Sequence, residues 1–302
     1  MGTALRGTWF VAPTAFADDG SLDVRSQRRL MDAAIAWGVN GVTAMGVTSE
    51  PTTLSLDERE AALRAVFESA GGHLPVIVGC SGPNAEAVVE LIGQARALGA
   101  AAAMVSAPPG VRDLDGLPAF FAAVARDGGL PLVLQDEPVA TGVVLPVDVI
   151  LGCLEASGAR AVELEDPPTP PKIAALLAAD PGLSVFGGLG GSAAFGELRN
   201  GACGTMTGFA FPEILRAVRE AVEANDLVRA EAVFERHLAL IRFEAQPRIG
   251  LAIRKELLRR RGALASARTR VGEPLDPRTA EALDDVLSRM RIRPSPEPLQ
   301  VE

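Results

Sequence analysis

The chain has 302 residues, of which 48% are hydrophobic and 22% are charged, a composition typical of globular proteins. Its formal net charge is -9 and no run of Lys or Arg stands out, which argues against nucleic acid or an anionic membrane as a partner. No apolar run reaches the roughly 18 residues of a membrane span, and the first residues lack the apolar core of a signal peptide.

The rarer residue types limit the chemistry. Cys80, Cys153 and Cys203 lie far apart and form no CxxC pair, so we expect reduced thiols and a cytoplasmic location. The two histidines are isolated, so neither a histidine metal site nor a Ser-His pair is expected. The chain has no tyrosine, and its only lysines are Lys172 and Lys255.

Short β-rich runs alternate with helical patterns in chain order. We predict strands over 8–16, 41–46, 75–80, 102–107, 131–136, 160–165, 183–188 and 204–209. Amphipathic stretches lie between them; one begins with the capping box Ser55-x-x-Glu58, and another begins at Asn84 and ends at Gly99. Eight strand–helix units predict an α/β protein with a closed (β/α)8 TIM barrel, in preference to a doubly wound sheet.

Further helical patterns follow the eighth unit, over 226–242, 246–261 and 277–291. We therefore divide the chain into a barrel over 1–224, a C-terminal helical extension over 225–291 and a flexible Pro-rich tail over 292–302.

Active sites of such barrels lie at the C-terminal ends of the strands, which directs attention to strand six. There Glu163 and Glu165 alternate with the apolar Val162 and Leu164, so both carboxylates are predicted to point into the barrel. Crowded carboxylates in a low-dielectric mouth raise the pKa of at least one of them, as suits a general acid or base. The alternative is that both bind loop amides and have no chemical role.

Other candidates come from neighbouring strands and loops. By the same alternation Gln135 and Glu137 point inward from strand five, and Glu137 with the strand-six carboxylates could hold Mg2+ or Mn2+. Arg112 is the only cation expected to reach the site from a loop. Four residues could donate hydrogen bonds to a substrate from a hydroxyl or a loop amide: Thr14, Thr48, Ser49 and Gly188. The alternative for these residues is a structural role, in which they only cap or shape turns.

The stretch "GVNGVTAMGVTSEPTTLSLDER" at 38–59 resembles the second strand and following helix of the dihydrodipicolinate synthase/N-acetylneuraminate lyase family. "VAPTAF", "PVIVGCSGPN" and "EPVATG" extend the resemblance over most of the chain. It implies a class I aldolase-type TIM barrel, a homo-oligomer (dimer or tetramer), and a pyruvate-type substrate held as a Schiff base on a strand-six lysine.

The residues that carry the family's chemistry are replaced. The Schiff-base lysine falls on Glu163, the strand-five tyrosine on Gln135, the first motif Thr on Val47, and an arginine after strand five on Ala140; the second motif Thr is kept as Thr48. An imine needs a primary amine that can lose its proton. We therefore expect the family's barrel without its Schiff base.

The sequence predicts a divergent lyase-type enzyme that acts on a small polar metabolite by carboxylate acid–base chemistry, and the carboxylates would suit a cationic metabolite. The residues assigned to catalysis are Glu163, Gln135 and Glu137, and those assigned to substrate binding are Thr48, Ser49, Glu165, Thr14 and Gly188. Two alternatives stay open: a non-catalytic descendant that binds a small molecule or supports another subunit, and a metal-assisted aldolase or lyase. Apart from that metal, no cofactor is expected.

Overall fold

The computed structural model describes residues 5–301, and its centre is a closed barrel of eight parallel strands in sequential order. The strands are β1 Gly7–Val11, β2 Gly41–Ala44, β3 Val76–Gly79, β4 Ala102–Ser106, β5 Leu132–Asp136, β6 Ala161–Leu164, β7 Ser184–Gly187 and β8 Gly204–Thr207. β8 pairs with β1 and closes the ring. The predicted (β/α)8 barrel is confirmed.

Helices surround the barrel and continue beyond it. They are α1 Val24–Ala36, α2 Leu56–Ala70, α3 Ala85–Ala97, α4 Leu117–Gly128, α5 Pro138–Thr141, α6 Val147–Ser157, α7 Thr169–Ala179, α8 Ala194–Arg199, α9 Pro212–Glu223, α10 Leu227–Glu244, α11 Gly250–Arg260 and α12 Pro277–Met290. Ser55 and Glu58 form the expected capping box at the start of α2, and Asn84 caps α3. The last three helices form the C-terminal helical extension.

Apolar side chains fill the lower part of the barrel interior. Trp9 and Phe186 meet edge to face at 6.4 Å in this inner cluster, which also includes Val133 and Ala161. A second, larger apolar cluster lies between the strands and the helices. Because side chains alternate along a strand, the next inward positions after Val133 and Ala161 are two residues further on, above the apolar layer. The inner cluster therefore forms the floor of the barrel mouth.

Buried ion pairs attach the extension to the barrel. Arg261 donates to Glu213 at 2.6 and 3.1 Å, and its guanidinium lies 4.0 Å from the centre of the Trp37 ring. Lys255 donates to Glu50 at 2.5 Å, and both side chains are fully buried. Removing one partner of such a pair would leave an unpaired buried charge, so these contacts fix how α11 sits on the barrel.

The end of the chain differs from the expected flexible tail. Within 292–301, the Pro296 carbonyl accepts a hydrogen bond from the Trp37 indole at 3.2 Å, and the Leu299 amide donates to Glu213 at 2.8 Å. The tail packs because it supplies partners to buried polar groups that the helices leave unsatisfied.

Candidate active site

A small cavity of about 70 Å³ lies at the C-terminal mouth of the barrel. Its polar side chains come from β5, β6, the loop after β2, β8 and α11, and are Gln135, Glu163, Glu165, Thr48, Thr207 and Arg254. A wider outer cavity of about 340 Å³ shares Thr48, Gly190 and Arg254 with it. These three residues therefore form a neck between an inner and an outer chamber.

Glu163 lies deep in this cavity beside Gln135. The two residues are register partners on β6 and β5, and Gln135 Nε2 donates to Glu163 Oε2 at 2.9 Å. Burial, together with the nearby Glu165 carboxylate, raises the pKa of Glu163 well above its usual value. Glu163 therefore keeps its proton to a higher pH than an ordinary carboxyl group does, and its Oε2 accepts the hydrogen bond from Gln135.

Glu165 follows the last residue of β6 and lines the same cavity. Burial and repulsion from Glu137 raise the pKa of Glu165 to about 7, while the Leu189 amide, which donates to Oε1 at 3.1 Å, and Arg254 oppose this rise. The strand alternation thus brings two carboxyl groups to one wall, and both have raised pKa values.

Glu137 lies beside the cavity and does not line it. Its carboxylate caps α5 by accepting a hydrogen bond from the Ala140 amide at 2.5 Å. Burial raises the pKa of Glu137, and its charge in turn acts on Glu163 and Glu165. Glu137 was expected to point into the mouth, but its carboxylate is held at the start of α5 by the Ala140 amide and does not line the cavity.

Three other predicted binding residues have structural contacts instead. Thr14 Oγ1 donates to the Ser49 carbonyl, and Ser49 Oγ donates to the Ala12 carbonyl, both at 2.6 Å. Gly188 lies against Glu165, where an added Cβ would be 2.4 Å from the Glu165 side chain. Gly188 therefore leaves room for that carboxylate, and none of the three lines the inner cavity.

Thr48 is the one predicted hydroxyl donor that lines the cavity. It lines both chambers, and within residues 5–301 its buried Oγ1 has no hydrogen-bond partner. A buried polar atom without a partner carries a free-energy cost that a bound ligand can remove. The neighbouring Val47 is half exposed and also lines the cavity.

Arg254 was missed by sequence reasoning, which expected Arg112 as the nearby cation. Arg112 is exposed and lines neither chamber, whereas Arg254 on α11 lines both. The only local signal was a charged Arg-Lys pair within the apolar stretch of α11, and it does not reveal which part of the barrel the helix contacts.

Neither lysine reaches the cavity. Lys172 donates to Asp136 at 2.5 Å and to Asp166 at 2.9 Å, and Lys255 is held by Glu50 in the buried pair described above. Both amines are therefore engaged with carboxylates outside the mouth.

Two searches of the described residues gave negative results. Within residues 5–301, no three His, Cys, Asp or Glu side chains are grouped so that they could bind one metal ion. Among the same residues, no helix is both long and apolar enough to cross a membrane.

A closed eight-stranded α/β barrel with C-terminal helices places the chain among the (β/α)8 TIM barrels. The sequence profile of the Dihydrodipicolinate synthetase family matches residues 4–291, and the chain belongs to this family. It is 32% identical to an L-2-keto-3-deoxyarabonate dehydratase of Azospirillum brasilense, with 94% of each chain covered. It is 36% identical over 209 residues to a 4-hydroxy-tetrahydrodipicolinate synthase of Xanthomonas axonopodis, covering 68% of each.

Solved structures agree with this assignment. Dihydrodipicolinate synthase from Rhodopseudomonas palustris superposes with a TM-score of 0.89 at 34% identity, covering 94% of this chain and 97% of that one. The family includes lyases and dehydratases, and this barrel has the same architecture.

Proposed function

We propose that this chain is a lyase-type enzyme that acts on a small polar metabolite by carboxylate acid–base chemistry, without a Schiff base. The observation that carries the proposal is Glu163. It is buried in the cavity, Gln135 fixes the orientation of its carboxyl group, and the sequence resemblance predicts it at the strand-six position of the family's lysine. A carboxylic acid with a raised pKa can donate a proton at neutral pH, which suits a general acid.

Elimination of water is the reaction type that the two carboxyl groups support best. Glu165, with a pKa of about 7, is partly ionised at neutral pH and can take a proton from carbon. Glu163 donates its proton to the departing hydroxyl, which leaves as water as the carbon–carbon double bond forms. The dehydratase among the relatives supports this choice of reaction.

The two alternatives have less support. A non-catalytic descendant that only supports another subunit does not need an open mouth, whereas here the inner cavity is retained and, within residues 5–301, the buried Thr48 hydroxyl has no partner. A non-catalytic descendant that binds a small molecule would share this cavity and would differ in showing no turnover. The metal-assisted alternative needs several ligands at one point, and the described residues offer no such group. We therefore propose a reaction that needs no metal or other cofactor.

We also propose that the protein is a cytoplasmic homo-oligomer, either a dimer or a tetramer. Its three cysteines are free thiols, as is usual in a reducing compartment. Val139 and Val144 are large apolar side chains that are 87% and 59% exposed in the single chain. Light scattering on the purified protein tests this: a monomer at micromolar concentration would contradict it.

The test of the reaction is an exchange experiment in D2O. Hydroxy acids and 2-oxo acids are incubated with the enzyme, and NMR follows deuterium incorporation and loss of water. We expect turnover with at least one of these acids in the wild type, a loss of at least about a hundredfold in Glu163→Gln, and near-normal turnover in Glu137→Gln. Equal turnover in Glu163→Gln and the wild type would refute the assignment.

A further inference from the structure

The guanidinium of Arg254 is held rigidly at the neck between the two chambers. Its Nε donates to Glu244 Oε1 at 2.7 Å, and the Arg254 side chain is only 8% exposed. Glu244 is itself fixed because its Oε2 accepts a hydrogen bond from the Ala210 amide at 3.0 Å. One edge of the guanidinium is therefore anchored by Glu244, a buried carboxylate in the wall of the outer chamber.

The other edge of the guanidinium is free. Within residues 5–301, no protein atom accepts a hydrogen bond from Nη1 or Nη2, and no carboxylate other than Glu244 lies within ion-pair distance. Gly208 makes room for the guanidinium at the neck, since an added Cβ there would be 2.7 Å from Nη1, and Gly190 lies alongside, with its Cβ position 4.0 Å from Nη2. Such paired donors match the two oxygens of a carboxylate.

The same neck offers a second donor. Thr48 Oγ1 is buried, has no hydrogen-bond partner within residues 5–301, and lines the same two chambers as Arg254. An anion at the neck could therefore accept hydrogen bonds from both residues. The rest of a small molecule bound there would extend inward, where Glu163 and Gln135 lie.

We propose that Arg254 is the specificity-determining residue of this site and that it binds a carboxylate group of the substrate at the neck. This inference rests on the proposed function only in assuming that the molecule bound there is the lyase substrate. It replaces the cationic substrate expected from sequence with an anionic one, because the guanidinium supplies the positive charge at the neck.

Binding of small matched probes tests this inference without requiring turnover. Lactate and propionate are compared with lactamide and propionamide by ligand-observed NMR on the full-length protein at constant ionic strength. We expect the carboxylates to bind more tightly than the amides by about ten- to a hundredfold, and this preference to disappear in Arg254→Gln. Arg259→Gln removes the same charge from an exposed position on α11 and should keep the preference.

Arg254→Gln leaves the Glu244 carboxylate buried and unpaired and could impair folding, so Arg254→Gln combined with Glu244→Gln is the second variant. The inference is overturned if wild-type protein binds amides as well as carboxylates, if neither carboxylate binds, or if either folded variant keeps the preference. An equal loss in Arg259→Gln also overturns it, because that result indicates a general charge effect.

The same experiment separates this inference from the proposed reaction. Glu163→Gln should still bind the carboxylates, since it leaves the neck unchanged. Selective carboxylate binding with no turnover of any acid would reject the lyase and keep the role of Arg254. Turnover with an unchanged KM in Arg254→Gln would keep the lyase and reject the role of Arg254.

Discussion

Glu197 provides a quantitative test of the carboxylate environment, because it is buried behind the barrel wall and outside the cavity. Burial, opposed by a hydrogen bond from Thr169 at 2.5 Å, raises the pKa of Glu197 to about 7 from an ordinary 4.5. The folded state therefore keeps a proton that the unfolded chain releases above about pH 4.5. The stabilisation that this bound proton gives the folded state is fully present below about pH 4.5 and is lost as the pH rises to about 7. Because one pKa unit corresponds to ~1.4 kcal/mol, the free energy of unfolding decreases by ~3 kcal/mol over this pH range.

Glu197→Gln should remove this loss, because an amide does not titrate and still accepts from Thr169. Urea unfolding at a series of pH values should give equal stabilities for variant and wild type near pH 4.5. The variant should be more stable by up to ~3 kcal/mol above pH 7. Glu231→Gln, at an exposed position, should show no such trend. A difference that is independent of pH, or one that shrinks as pH rises, would refute the reasoning.

Four further predictions concern the site. Glu163→Gln should raise thermal stability at neutral pH, because the raised pKa of Glu163 makes folding less favourable there. The same variant should lose lyase activity. Full activity in a kinetic assay would show that Glu163 has no part in the mechanism. Pyruvate with borohydride should give no covalent adduct by mass spectrometry, and an adduct on Lys172 would contradict the absence of a Schiff base. Dialysis against EDTA should leave turnover unchanged, whereas loss with rescue by Mg2+ or Mn2+ would favour the metal-assisted alternative. The turnover rate should rise with pH through about 7 as the Glu165–Glu163 pair loses its first proton, and should fall at higher pH as the pair loses its second proton. A turnover rate that does not change with pH would exclude these two residues as the acid and base of the reaction.

The barrel was predictable because its signals are local. Each strand is a short apolar run bounded by loops, and Ser55 and Asn84 mark helix starts by capping chemistry that acts within four residues. The positions of Glu163 and Gln135 follow from strand alternation in the same way.

The rest of the site depends on contacts between distant segments. Arg254 reaches the neck only because buried ion pairs fix α11 on the barrel, and no spacing in the sequence encodes that docking. Glu137 and Thr14 lie beyond the strand ends, where the loop backbone sets the direction of the side chain. Sequence reasoning therefore identified the right end of the barrel but could not separate the hydroxyls and carboxylates that face the cavity from those that hold the loops.

The apolar layer beneath the mouth also governs how molecules enter and leave. Met104 and Met206 line the inner chamber and belong to that layer, so the layer closes the chamber from below. In the proposed elimination, a water molecule released at Glu163 would have to leave on the same side as the organic product. Return of that water to the double bond would then compete with its escape to bulk solvent.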